Sequence, residues 1–504
     1  MYSILGKSNT NPKKLLENSF FFFFIRSRTH YTSYSKNNLF SRISTLRNPD
    51  ISIIPVLDQW VEEGNKVGQA EFQRIIRELR GRKLYSHALQ ISEWMSSKGL
   101  LPFSSGDRAV RLDLIGMVQG LDAAESYFSK LSDQEKNEKT YGALLNCYVR
   151  ERLIDKSLSH VQKMKEIGFA SSSLVYNNLM CLYVHTNQLE KIPDVLSEMK
   201  KNGVPPNNFS YRICINSYGA QSDLNSIEKL LKEMESRPHL CIDWTTYSTL
   251  ANFYIKAGLK EKALAFLWKL EEKLDKNALG YNHLISHYAH LGITDQMMRL
   301  WGIQKVKCKK QINRDYITML GSLVKLGELE KTEALFKEWE SSCQTYDFRV
   351  PNILLIGHCQ KGLVERAETM LQEIIKKGKT PTPNSWSIIA AGYLDKENME
   401  KAFECIMEAL AVKEQNQGWR PKPRLISSIL NWLGDEGEAE KVEAFVSSLK
   451  TMIPVNREMY HALLKANIRV GREVELILES MKAEKIDEDE ETRKILSLKQ
   501  ESAE

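Results

Sequence analysis

A chain of 504 residues is longer than one hydrophobic core organises, roughly 250 to 300 residues, so it either divides into domains or repeats. Its 42% hydrophobic and 27% charged content, with 14 prolines and 26 glycines, excludes wholesale disorder. The formal charge of +6 is carried by the first 49 residues, where Lys7, Lys13, Lys14, Arg26, Arg28, Lys36, Arg42 and Arg47 face the single acid Glu17; the remainder is close to −1, and bulk charge gives no signal for nucleic acid.

Residues 1–49 are basic, dense in Ser and Thr, and lack the pattern that follows, which is the composition of a disordered organellar transit peptide. The apolar run Phe20 to Ile25 is six residues long, against about 20 needed to cross a bilayer, so it is no anchor and no membrane partner is expected. Residues 50–68, with PVLDQWVEEGNKVG at Pro55 to Gly68, read as an N-terminal capping helix covering the first apolar face.

From residue 69 to residue 491 one unit recurs. Its clearest copy is SLVYNNLMCLYVHTNQLEKIPDVLSEMKKNGVPPN, Ser173 to Asn207, with two apolar patterns of helical period and a stop at Gly203, Pro205 and Pro206. Tyr141, Tyr176, Tyr211, Tyr247, Tyr281 and Tyr316 follow one another at 35, 35, 36, 34 and 35 residues, and Trp386 lies 70 beyond Tyr316. Self-similarity at such a period predicts stacked helical pairs rather than one closed core. Before Tyr141, Phe72 takes the ring position of the unit Gln69–Phe103, whereas Arg108 replaces the ring in the shortened unit from Ser105. After Asp347 the landmarks weaken to Pro351, Trp386, Ile426 and Tyr460, and Lys413 to Arg420 reads as a loop that lengthens one unit. Gly258, Gly292, Gly327 and Gly362 are expected to close first helices in a left-handed turn. The acidic run Asp487 to Glu491 reads as solvated, and residues 492–504 as a C-terminal tail. Eight cysteines without a CxxC pair, several inside predicted helices, read as reduced, packed thiols.

The openings TYGALLNCYV (Thr140–Val149), VYNNLMCLYV (Val175–Val184), TYSTLANFYIKAG (Thr246–Gly258) and GYNHLISHYAHLG (Gly280–Gly292), with closings such as MKKNGVPPN, resemble the pentatricopeptide repeat family, P-type, of plant organelles. The W-x2-L-G-x2-Y opening of the tetratricopeptide repeat is not found. The resemblance implies an all-α, right-handed α-solenoid of about twelve helix-turn-helix repeats of about 35 residues. It also implies single-stranded organellar RNA as partner, one base per repeat, read by the residue after the ring and the last residue of the repeat. On that basis Asn177 with Asn207 looks like a pyrimidine reader, and Ser248 with Asn277 and Ser427 with Asn456 look like adenine readers. Asn282 and Asn352 match at the first place only, since Ile312 and Thr382 stand where the usual partner would. Arg212 with Asp243 departs further.

The residue nine places after each ring lies about 2.5 helical turns on and points away from it. Arg150, His185, Lys256, His290, Lys325 and Arg469 occupy this place, interrupted by Ala220 and Asp395, and form a candidate phosphate-binding ladder. No catalytic constellation is found: His283, His287 and His290 share a helix face, but HLISH lacks the glutamate of HExxH. No enzyme activity, metal, cofactor or small-molecule substrate is expected. Two readings stand: a mitochondrial matrix RNA-binding adaptor in RNA processing, editing, stability or translation, with the chloroplast as the other compartment, and an interaction scaffold docked on the mitochondrial ribosome or on RNA-processing proteins.

Overall fold

The computed structural model describes residues 38–46, 48, 51–65, 68–99, 103–238, 240–308, 310–343, 345–412 and 418–501. The transit-peptide expectation for residues 1–37, and the loop expectation for residues 413–417, lie outside the described residues. Among the described residues the chain folds into 27 α-helices and one short 3-10 turn, with no strand. They fall into two compact units, residues 1–259 and 260–504.

In the first unit, the first helices Ser105–Val118, Glu138–Arg150, Ser173–His185, Asn208–Ala220 and Trp244–Lys256 alternate with second helices such as Ile154–Glu166 and Ile192–Lys201. Within this unit these successive first helices pack on one another, and second helices pack on the first-helix layer. The sequence shows why. Ser173–His185 buries ten consecutive residues, Val175 to Val184, because it has neighbours on several sides. Ile192–Lys201 buries only Ile192, Val195, Leu196 and Met199, the single stripe of a helix with one covered face. The second unit repeats the arrangement, its first helices including Ala278–His290, Asn313–Leu326, Arg349–Gln360, Pro383–Asp395, Pro423–Glu436 and Arg457–Arg469.

The ring that marks each repeat sits in the core: Phe72, Tyr141, Tyr176, Tyr211, Tyr247, Tyr281, Tyr316, Trp386 and Tyr460 are all at most 8% exposed. In three repeats the ring hydroxyl meets a partner on or just beyond the second helix of the same repeat, whereas that of Tyr460 is buried without one. Tyr211 donates to Glu233 at 2.8 Å, Tyr316 donates to Glu338 at 3.0 Å, and Asn202 donates to the Tyr176 hydroxyl at 2.8 Å. A second tyrosine, seven residues after the ring, reaches back to the preceding repeat: Tyr254 donates to Glu228 at 3.1 Å and Tyr393 to Glu368 at 2.5 Å. Rings therefore tie helices within a repeat and repeats to one another.

Eleven residues after the ring the backbone is left-handed, which turns the chain into the second helix. Gly258, Gly292, Gly327 and Gly362 have φ between 73° and 77°, as expected, and Lys83, Arg152, Asn187, Ser222 and Glu397 adopt the same conformation with φ between 59° and 62°. The turn is demanded by the repeat, and glycine only eases it.

Both ends differ from the expectation. Leu39–Thr45, assigned with residues 1–49 to a disordered segment, is a helix capped by Asn38, with Leu39 and Ile43 fully buried. Arg42 pairs with Glu63 at 2.8 Å just beyond the expected capping helix, which spans Ile54–Glu62. Basic composition marked this stretch, but its two apolar residues four apart complete the first core. At the other end the acidic run is exposed at Asp487, Glu490 and Glu491, as expected, but it is no tail: Asp489 accepts from the backbone N–H of Thr492 at 2.8 Å and starts the helix Glu490–Glu501, on which Ile495 is buried. Acidic side chains suit the N-terminus of a helix, where unpaired N–H groups point outward.

Candidate functional site

The last residue of a repeat is also the cap of the next first helix. Asn207 accepts from the N–H groups of Phe209 and Ser210, Asn277 from Gly280, and Asn456 from Met459. The place expected to read bases thus supplies the oxygen that the exposed end of a helix needs.

The place after the ring lies between successive first helices and is buried. Asn177 is 3% exposed, Asn282 4%, Ser248 5% and Asn352 6%, whereas Ser427 is half-buried. Asn177 and Asn207, 30 residues apart, come together: Nδ2 of Asn177 donates to Oδ1 of Asn207 at 3.4 Å. Ser210 donates to Oδ1 of Asn177 at 2.7 Å, closing a small polar cluster with Asn207.

The other first-place residues are held differently. Asn282 donates to Asp315 at 2.6 Å and accepts from Gln304 at 3.1 Å. Ser427 donates to Glu458 at 2.6 Å. Asn352 keeps its side-chain oxygen buried without a hydrogen-bond partner. Arg212, 6% exposed, donates to the Thr245 hydroxyl at 3.3 Å, and that hydroxyl donates to Asp243 at 2.6 Å. Burial alone would raise the Asp243 carboxyl, but the bonds from Thr245 and Thr246 and the nearby Arg212 outweigh it and hold the carboxyl below its usual range.

The basic ladder is only partly a ladder. Arg150 is turned onto Asp113 of the preceding first helix at 3.1 Å. His185 reaches the Val149 carbonyl at 3.4 Å, and Arg469 donates to the carbonyls of Gly434, at 3.1 Å, and Gly437 beyond the preceding first helix. These three tie adjacent repeats. Lys256, His290 and Lys325 are exposed, His290 lying 2.6 Å from the Ser286 carbonyl of its own helix. Of the histidine trio, His287 is buried and its ring centroid lies 6.3 Å from that of His283.

Sequence reasoning missed the residue immediately before the ring. Thr140, Ser210, Thr246, Asp315 and Ser385 are polar yet at most 4% exposed, and Ser210 and Asp315 bond the first-place residue of the repeat before. The signal was present as a polar residue recurring at the repeat period, beside a ring that must be buried.

The PPR repeat model matches residues 139–169, 209–239, 245–273, 315–343 and 350–378, and a PPR repeat family model matches residues 171–220. A mitochondrial pentatricopeptide repeat-containing protein of Arabidopsis thaliana is 49% identical over 476 residues, 94% of this chain and 97% of that protein. The large ribosomal subunit protein mL101 of the same plant is 38% identical over 466 residues, 92% of this chain and 95% of that protein. In fold, the chain is similar to the crystal structure of the pentatricopeptide repeat protein PPR10 in complex with an 18-nt psaJ RNA element, with a TM-score of 0.53 at 18% identity, over 82% of this chain and 59% of that one.

Proposed function

This chain belongs to the pentatricopeptide repeat family, and we propose that it is a mitochondrial, non-catalytic protein that binds single-stranded RNA along its first-helix layers and presents that RNA for processing, editing, stabilisation or translation. The observation that carries this reading is the meeting of Asn177 and Asn207 at 3.4 Å across 30 residues. Two carboxamides from the two ends of one repeat converge there. Oδ1 of Asn207 is taken up by its cap and by Asn177, and the pair is left with an N–H of each and a lone pair of Asn177 Oδ1 to offer to the Watson–Crick edge of a splayed base. Lys256 and Lys325, exposed at the ends of first helices, are suited to phosphates. The mitochondrial relative covering 94% of the chain supports the compartment.

A second reading, a structural component of the mitochondrial ribosome, is favoured by the likeness to mL101 and by first-place residues whose polar groups are already satisfied, such as Asn282 between Asp315 and Gln304. Ultraviolet crosslinking in isolated mitochondria, followed by sequencing of the attached RNA, separates the two. The adaptor reading expects short discrete sites on a few transcripts. Sites confined to ribosomal RNA, with the protein sedimenting with the large subunit, replace it by the second reading, and absence of attached RNA overturns it.

A further inference from the structure

Two asparagines occupy the same place in two repeats, and the structure holds their carboxamides in different ways. Around Asn282, Nδ2 donates to Oδ1 of Asp315 at 2.6 Å, and Oδ1 accepts from Nε2 of Gln304 at 3.1 Å. Both partners are themselves buried, Asp315 at 1% and Gln304 at 0% exposure. Asp315 is fixed in turn, since its other oxygen accepts from the backbone N–H of Ile312 at 3.0 Å as the cap of its own helix. Turning the Asn282 carboxamide over would set oxygen against carboxyl oxygen and amide N–H against amide N–H. The contact with Gln304 would be relieved by turning that amide, whose Oε1 has no partner, but the contact with Asp315, held as a cap, would not, so this orientation is the one available.

Around Asn177 the corresponding neighbour is Ser210, which donates to Oδ1 of Asn177 at 2.7 Å. A hydroxyl both donates and accepts and rotates about its own bond, so it serves an oxygen or an N–H equally. The remaining bond, from Nδ2 to Asn207, is long at 3.4 Å. Turned over, its oxygen would face Oδ1 of Asn207, which the N–H groups of Phe209 and Ser210 hold in place. At 3.4 Å, however, a weak bond is exchanged for a weak like contact, so this carboxamide turns over at less cost than that of Asn282.

The chemistry of the two pyrimidines makes the difference matter. Uracil offers a carbonyl acceptor beside an N–H donor, and cytosine offers an amino donor beside a ring-nitrogen acceptor. A carboxamide that can turn over accommodates both edges, and one held in a single orientation matches one of them. We propose that Asp315 and Gln304 are specificity-determining positioning residues, which hold Asn282 so that its repeat separates uracil from cytosine, while Ser210 leaves the repeat of Asn177 tolerant of either. The inference rests on the RNA-binding reading above and concerns residues outside the two places expected to read bases.

The test is selection from a pool of random single-stranded RNA by the folded protein and by two variants, with sequencing of the bound fraction and circular dichroism as a check of helix content. With the unaltered protein, one position of the enriched register should separate the two pyrimidines by about ten-fold, the size of one misdirected buried hydrogen bond, and another should not. D315S should bring the first below about three-fold, and S210D should create a comparable preference at the second. If the unaltered protein enriches a motif and D315S, equally helical, keeps the same pyrimidine preference, the inference is overturned while RNA binding stands. If D315S loses its helices, S210D decides, and unchanged tolerance there overturns the inference. If the unaltered protein enriches nothing even at low salt, the RNA-binding reading itself fails and takes this inference with it.

Discussion

The guanidinium of Arg150 donates to the carboxyl group of Asp113 at 3.1 Å, joining the first helices of two successive repeats across 37 residues. Asp113 is 5% exposed and also receives Arg80 at 2.6 Å and Asn146 at 2.9 Å, so three repeats converge on one acid. Asp113→Ala would leave two guanidinium groups and an amide without their acceptor in a mostly buried place. It should cost about 2–4 kcal/mol, and Asp113→Asn less. Urea unfolding followed by circular dichroism measures this, and a loss below about 1 kcal/mol would show the cluster to be ornamental.

The N-terminal boundary is testable by truncation. A chain beginning at residue 38 keeps Leu39 and Ile43, which are fully buried, whereas one beginning at residue 47 loses both. Each buried aliphatic side chain is worth about 1.5–3 kcal/mol. The shorter chain should therefore melt several degrees lower, and the first repeats should exchange their amide hydrogens faster; equal melting temperatures would place the fold's beginning later than Thr45.

Arg152 and Ser222 hold the left-handed turn with φ of 60°, where a side chain is unfavourable and glycine is at ease. Replacing either by glycine should raise stability by up to about 1 kcal/mol. Gly258 takes the same turn at φ 74° with nothing within 4 Å of an added Cβ, so Gly258→Ala should lose a similar amount through the backbone alone. Opposite signs for the two kinds of change are the expected result; a common sign would contradict it.

Phosphate binding should now be sought at Lys256 and Lys325, which are exposed, and not at Arg150, which is spent on Asp113. Replacing both lysines by alanine should weaken binding to every single-stranded RNA and reduce the slope of affinity against salt by roughly 0.7 for each phosphate no longer neutralised. Arg150→Ala should act on stability first. Filter binding over a salt series would distinguish the three, and an unaltered slope in the double-lysine variant would remove these residues from the interface.

The last helix carries a pH dependence. Hydrogen bonds from the backbone N–H and hydroxyl of Thr492, aided by His461 and Arg457, pull the Asp489 carboxyl down from its ordinary 3.8 to about 2. A carboxyl depressed on folding stabilises the fold above its unfolded value, and that contribution is lost as pH falls through the range from 3.8 to about 2. Amide exchange in Glu490–Glu501 should quicken across this interval. Asp489→Asn should abolish that part of the dependence, and a profile the same in both proteins would refute the assignment.

The sequence alone determined the period, the rings and the helix pairs. Each follows from contacts within one repeat, where about 3.6 residues per turn and a buried aromatic leave a mark that recurs. It revealed the left-handed turn where glycine stands, as at Gly258, but not at Arg152 or Ser222, because there the repeat imposes the conformation against residue preference. Helical geometry placed Arg150 and Arg469 away from their rings; it could not say that the preceding repeat would meet them with Asp113 and with the carbonyls of Gly434 and Gly437. What only the tertiary structure decided is what each polar side chain meets from the neighbouring repeat: Asn177 a hydroxyl that turns, Asn282 a buried acid that does not. Those partners stand 33 residues away, brought within bonding distance by the stacking of one first helix on the next, and no local pattern encodes the direction in which a carboxamide is held.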